Sequence, residues 1–132
     1  MAAACDARDN QVVQSIDEET VLDRAQLRDV TLDDEELMRE ILSALIDDTS
    51  RQIQLLGAAI REQNPQKCMR LAHYSKGACA NVGACRAAAL LQQIERQAAS
   101  GGFDGCGESL DRLSEEVERL REEVFNEAAA EP

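Results

Sequence analysis

His73 is the only histidine in the chain, and it lies in the stretch LAHYSKGACANVGA, residues 71–84. Lys76, one of two lysines, follows three residues later, and Gly77 follows at once. On a helix, residues three, four and seven apart share a face, which places Lys76, Gly77 and Ala80 beside His73, with Arg70 and Met69 behind it. Leu71, Ser75, Ala78, Cys79 and Val82 lie on the opposite side, so the imidazole is expected to point outward. A neutral imidazole is a ring-nitrogen nucleophile. Lys76 is a compact, flexible cation within reach of an anion held on that ring, and Arg70 can assist from the other side. A glycine inside a helix costs about 0.5–1 kcal/mol relative to alanine. Close approach of a partner over Gly77 and Ala80 would compensate, as would a neighbouring helix. No Asp or Glu falls one turn from His73 on its own face, so a hydrolytic triad is not expected. A nucleophile, a cation and open space suit acceptance of a phosphoryl group delivered by another protein. The plainer reading is an incidental surface histidine, a solvated Lys76 and a partly buried Met69.

Helices must position these residues. Residues 1–19 read as a loose leader. VLDRAQLRDV reads as a short helix capped by Asp23, with Leu22, Ala25, Leu27 and Val30 offering apolar contacts. A long amphipathic helix follows, capped by Thr31 or Asp33, with Leu37, Met38, Ile41, Leu42, Leu45, Ile46, Ile53, Leu56, Ala59 and Ile60 at spacings of three and four. Asn64-Pro65 ends it and opens a helix to about Asn81, with Gly83 as a left-handed terminator. Another helix runs from about Ala84 to Ala98. SGGFDGCG reads as a flexible connection, and the last helix, from about Asp104 to Glu127, carries Leu110, Leu113, Val117, Leu120 and Val124. Short links imply antiparallel neighbours. The expected fold is all-α: an up-and-down four-helix bundle with a short extra N-terminal helix over residues 20–127, followed by a tail at 128–132. The terminal stripe is assigned to core packing in preference to a dimeric coiled coil, and a monomer is expected.

Composition narrows the function classes. The chain has 132 residues, a net charge of -12, 44% hydrophobic residues and only 2% aromatics. Such an acidic field disfavours nucleic acid and anionic membranes, and no run approaches transmembrane length. The first ten residues, MAAACDARDN, have no apolar core of the kind a signal peptide needs. Five cysteines without a C-x-x-C pair, and a single histidine, argue for buried or free thiols in a reducing cytoplasm over a zinc site. GFDGCG lacks the strand and the Lys-Ser/Thr of a phosphate-binding loop. A carboxylate-bridged metal bundle would need Glu-x-x-His pairs.

The segment AHYSKGACANVGACRAAALLQQIE resembles the signature of histidine-containing phosphotransfer (HPt) domains. Ala72, His73, Lys76, Gly77, Asn81, Gly83, Ala84 and the pair Ile94-Glu95 fall in register, and the likeness extends over about residues 20–125. Ser75 stands where the family usually has leucine, Cys79 where it usually has a small residue, and the turn near residue 102 looks longer than usual. The resemblance implies that His73 takes phosphate from an aspartyl phosphate on a receiver domain and passes it to another response regulator receiver. It implies no ATP site and no autokinase activity, with no cofactor on this chain and Mg²⁺ on the receiver. A hybrid histidine kinase would stand upstream. Lys76 would neutralise phosphate charge; Met69, Arg70, Gly77 and Ala80 would form the docking surface; Asn81 and Gly83 would serve the helix end and its turn. The alternatives are a helical adaptor that is never phosphorylated and the phosphoacceptor domain of a chemotaxis-type kinase.

Overall fold

The computed structural model describes residues 22–130. It has five helices: α1 (Arg24–Thr31), α2 (Glu35–Arg61), α3 (Pro65–Asn81), α4 (Cys85–Ala99) and α5 (Phe103–Ala130). No strand occurs among the described residues. Helices α2 to α5 close a ring in which α2 packs on α3, α3 on α4, α4 on α5 and α5 back on α2. This is the expected up-and-down four-helix bundle, and α1 lies across α2 and α3. The expected leader lies outside the described residues.

Local chemistry accounts for most boundaries. Asp23 accepts a hydrogen bond from the Gln26 amide and starts α1. Asn64 accepts one from the Lys67 amide, with Pro65 at the first helical position, so α3 starts and ends where its sequence indicated. The cap of α2 is Asp34, whose side chain accepts from the Leu37 amide, and not Thr31 or Asp33. Thr31 is instead the last residue of α1, buried, its hydroxyl donating to the Leu27 carbonyl. Of the apolar residues expected to seat α1, Leu27 is buried, whereas Ala25 and Val30 face solvent.

The core is aliphatic, as the shortage of aromatics requires. Leu56, Leu91, Ile94 and Leu113 are fully buried, and Leu113, Val117 and Leu120 turn the α5 stripe inward. The inward face of α3 is built from small residues, Cys68, Ala72, Ser75 and Cys79. Small side chains let helix axes approach toward the short end of the usual 8–10 Å range. Ser75 is buried with no hydrogen-bond partner for its hydroxyl, a packing cost where leucine was expected. Cys68, Cys79 and Cys106 are free and fully buried. Cys85 is disulfide-bonded, against the expectation of free thiols.

The SGGFDGCG stretch is mostly helix. Only Ser100–Gly102 connects α4 to α5, and Gly105 and Gly107 are inside α5. Gln97 is the reason. Its carbonyl accepts from the Gly102 amide, its side-chain oxygen accepts from the Ser109 hydroxyl, and its side-chain nitrogen lies 2.8 Å from where a Cβ on Gly105 would sit. The polar side chain of α4 fills the space that residue 105 leaves empty. Helix α5 also continues to Ala130, past the expected end at Glu127.

Candidate functional site

The wall of α3 that faces solvent carries Gln66, Arg70, His73, Tyr74, Gly77 and Asn81, all exposed. The His73 side chain is 69% exposed, as the face assignment required. Gly77 is bare: a Cβ built there would meet nothing within 4 Å. Neither a neighbouring helix nor a terminus among the described residues therefore compensates for this glycine. Arg70 is exposed, while Met69 and Ala80 are half-buried against the core.

The acid that α3 does not supply to His73 comes from α4. The Gly83 turn sends α4 back antiparallel, with His73 ten residues before Gly83 and Glu95 twelve after it. Ile94 is fully buried, so Glu95 falls at the edge of the α4 core stripe, facing α3. Its Oε2 lies 3.2 Å from His73 Nδ1, and its Oε1 accepts from Lys76 Nζ at 2.9 Å. A carboxylate beside Nδ1 selects the tautomer with the proton on Nδ1, which leaves the Nε2 lone pair free. Lys76 is only 17% exposed at its side chain and is paired with Glu95; it is not the solvated cation of the plainer reading. The periodicity of one helix does not reveal this contact, because Glu95 lies on α4 and His73 on α3. The available signal was the place of Glu95 in the family pattern, beside Ile94.

A second polar set stands on the other flank. The Tyr74 hydroxyl donates to Asp48 Oδ2 at 3.2 Å, and Arg51 donates to Asp48 Oδ1 at 3.3 Å. The hydrogen bond to Asp48, and then the Asp48 charge, raise the Tyr74 pKa and hold the phenol neutral.

Asn81 and Gly83 sit at the end of α3. Gly83 has φ +88°, and a Cβ there would be 2.5 Å from the Asp23 carbonyl oxygen. That close approach permits the Asp23 amide to donate to the Gly83 carbonyl at 2.7 Å. Gln26 Nε2 donates to the Ala80 and Asn81 carbonyls at 2.6 and 3.2 Å, occupying acceptors that a helix end leaves open. Helix α1 thus clasps the end of α3. No group of three or more potential metal ligands occurs among the described residues, and no helix among them is long and apolar enough to cross a membrane.

The bundle thus presents an exposed histidine whose ring is paired with a carboxylate that also holds a lysine. The chain matches the Hpt domain family over residues 40–123, well over half its length, and belongs to that family. Membership gives it a histidine phosphotransfer role in two-component signalling. The fold is similar to that of histidine-containing phosphotransfer protein B from Pseudomonas aeruginosa PAO1, with TM-score 0.77, 21% identity, and coverage of 86% of this chain and 99% of that one. It is also similar to the protein MtHPt2 from Medicago truncatula, with TM-score 0.69, 20% identity, and coverage of 98% and 99%. A rice protein assigned to the same class gives TM-score 0.73, 22% identity, and coverage of 95% and 91%. No curated protein sequence matches the chain.

Proposed function

We propose that the protein is a phosphorelay intermediate that accepts a phosphoryl group on His73 Nε2 from an aspartyl phosphate of a receiver domain and hands it to another receiver. The observation that carries this is the exposed imidazole whose Nδ1 is engaged by Glu95. The Nε2 lone pair attacks phosphorus; a P–N bond forms as the acyl-phosphate P–O bond breaks, and the electron pair leaves with the aspartate carboxylate. Nε2 carries no proton in this tautomer, so no proton has to move before attack, and Nδ1–H remains on Glu95. Return transfer runs the same steps in reverse. Phosphoryl transfer rests on positioning and charge neutralisation. Lys76, one turn from His73, supplies a cation for the phosphoryl oxygens, and the open surface around Gly77, with Met69, Arg70 and Ala80, receives the receiver. Asn81 and Gly83 hold the end of α3 that sets the height of His73.

In this reading the receiver brings Mg²⁺, a hybrid histidine kinase stands upstream, and the chain has neither an ATP site nor autokinase activity. The charge of -12 keeps nucleic acid and anionic membranes out of its partner set, and closure of α5 onto the bundle removes the need for a dimer. Phosphoryl flow that starts at ATP places the protein in the cytoplasm, where the Cys85 bond is open to reduction.

The test is incubation with phosphorylated receiver domains. The wild type should acquire acid-labile, base-stable phosphate, and His73→Gln should acquire none. ATP alone should label neither. Label on the His73→Gln protein, self-labelling by ATP, or a wild type left unlabelled by every receiver in the panel would sink the reading; the last outcome is that of a helical adaptor.

A further inference from the structure

Resting on the relay reading, we infer that Tyr74 selects the receiver: its ring, held by Asp48 and Arg51, is the aromatic anchor of the docking surface. The chain has one tyrosine, and its ring is exposed, 56% accessible, in a protein with 2% aromatics. It is next in sequence to the phosphoacceptor. At about 100° per residue, His73 and Tyr74 flank an exposed lane of α3, with Gly77 and Arg70 between them. One wall of the lane is His73, Lys76 and Glu95; the other is Tyr74, Asp48 and Arg51. Its floor is the open space over Gly77.

Transfer itself dictates the occupant. A receiver must bring its aspartate into contact with His73. A specific interface covers about 800 Å² per partner, a patch about 15 Å in radius. Such a patch centred near His73 includes the adjacent side chain. Tyrosine is enriched among the residues that dominate interface energy, because a large rigid ring carries few torsions to freeze. Here the hydroxyl is already fixed by Asp48, so part of that ordering is complete before the receiver arrives. Tyr74 reaches away from the reacting nitrogen toward α2, which suits it to discriminate among receivers and not to the chemistry.

The experiment measures phosphotransfer from several phosphorylated receivers at varied receiver concentration, alongside direct phosphorylation of His73 by phosphoramidate. The small reagent needs no docking, so Tyr74→Ala should match wild type with it, which also reports an intact fold and nucleophile. With the preferred receiver, Tyr74→Ala should raise the half-saturating concentration about 10- to 30-fold while the rate at saturation stays within about twofold. Tyr74→Phe and Asp48→Ala remove the same hydrogen bond. Each should raise it only a few-fold, and together they should do no more than either alone. The ratio of rates between receivers should contract in Tyr74→Ala. Unchanged half-saturation in Tyr74→Ala overturns the assignment, as does a loss confined to the saturated rate or an equal loss with phosphoramidate. Failure of the wild type to accept phosphate from any receiver overturns the relay reading instead.

Discussion

Glu95 serves two side chains at once: one oxygen orients His73 and the other holds Lys76. The lysine is therefore held one turn from His73, at the cost of sharing its charge with a carboxylate. Replacing Glu95 by alanine should release both groups. The expected outcome is a fall of about tenfold in transfer rate at saturating receiver, the equivalent of one charge-assisted hydrogen bond, with half-saturation unchanged. Single-turnover transfer of labelled phosphate checks this, and an unaltered rate would mean that the orientation of Nδ1 is irrelevant to attack. Glu95→Gln should fall between, since an amide oxygen can still accept from Nδ1–H but carries no charge for Lys76. At this scale the positions of His73, Lys76 and Gly77 on one face were legible, because all three belong to one helix and one period. Glu95 was not, because no rule of spacing along α3 reaches a residue on α4.

Among the elements, α3 shows two glycines with opposite demands. Gly77 is helical, exposed and unopposed, whereas Gly83 is left-handed and in contact with Asp23. Alanine at 77 should raise unfolding stability by about 0.5–1 kcal/mol. Alanine at 83 should lower it by about 2 kcal/mol or more, from the left-handed strain and the 2.5 Å approach to the Asp23 carbonyl. Urea melts of the two variants should move in opposite directions. Gly77→Leu should keep its helicity and still slow transfer, because the added side chain stands in the lane; equal transfer rates would show that the lane is not used. The caps Asp23 and Asn64 and the break at Pro65 were readable from local chemistry. The start of α5 was readable to within a residue, near Asp104 against Phe103; that the helix accommodates a glycine at 105 was not, because only the fold brings Gln97 of α4 into the space beside it.

For the whole molecule, closure of the ring buries groups that titrate as well as groups that pack. Cys79 sits between α3 and α2, its sulfur 3.9 Å from the Thr49 hydroxyl, and burial pushes its thiol from 9.0 up to about 12. The folded state thus retains a proton that the unfolded chain gives up near the ordinary thiol value. The stabilisation is fully present below pH 9 and is lost as pH rises from about 9 toward 12, at about 1.4 kcal/mol per unit. Urea midpoints between pH 8 and 11 should fall accordingly, and less steeply in Cys79→Ala; identical slopes would contradict the burial. Alkylation of Cys68, Cys79 and Cys106 in the native protein at pH 8 should be slow and should become fast in urea. The α4–α5 seam adds a buried carboxylate, Glu116, paired with Arg86 at 3.1 Å and with Arg119. At the surface, Arg24 of α1 is tied to Glu123 of α5.

The amino-acid order alone settled the helical class, the number of helices, most of the caps and the outward direction of His73, because each follows from period and from chemistry within a few residues. Which groups meet across helices was decided by tertiary structure. Glu95 reaches His73, Asp48 reaches Tyr74 and Gln26 reaches the end of α3 only once small residues on α3 and the Gly83 turn have set the spacing and register of neighbouring helices. Those contacts join positions 22, 26 and 54 residues apart, and they depend on how the bundle closes.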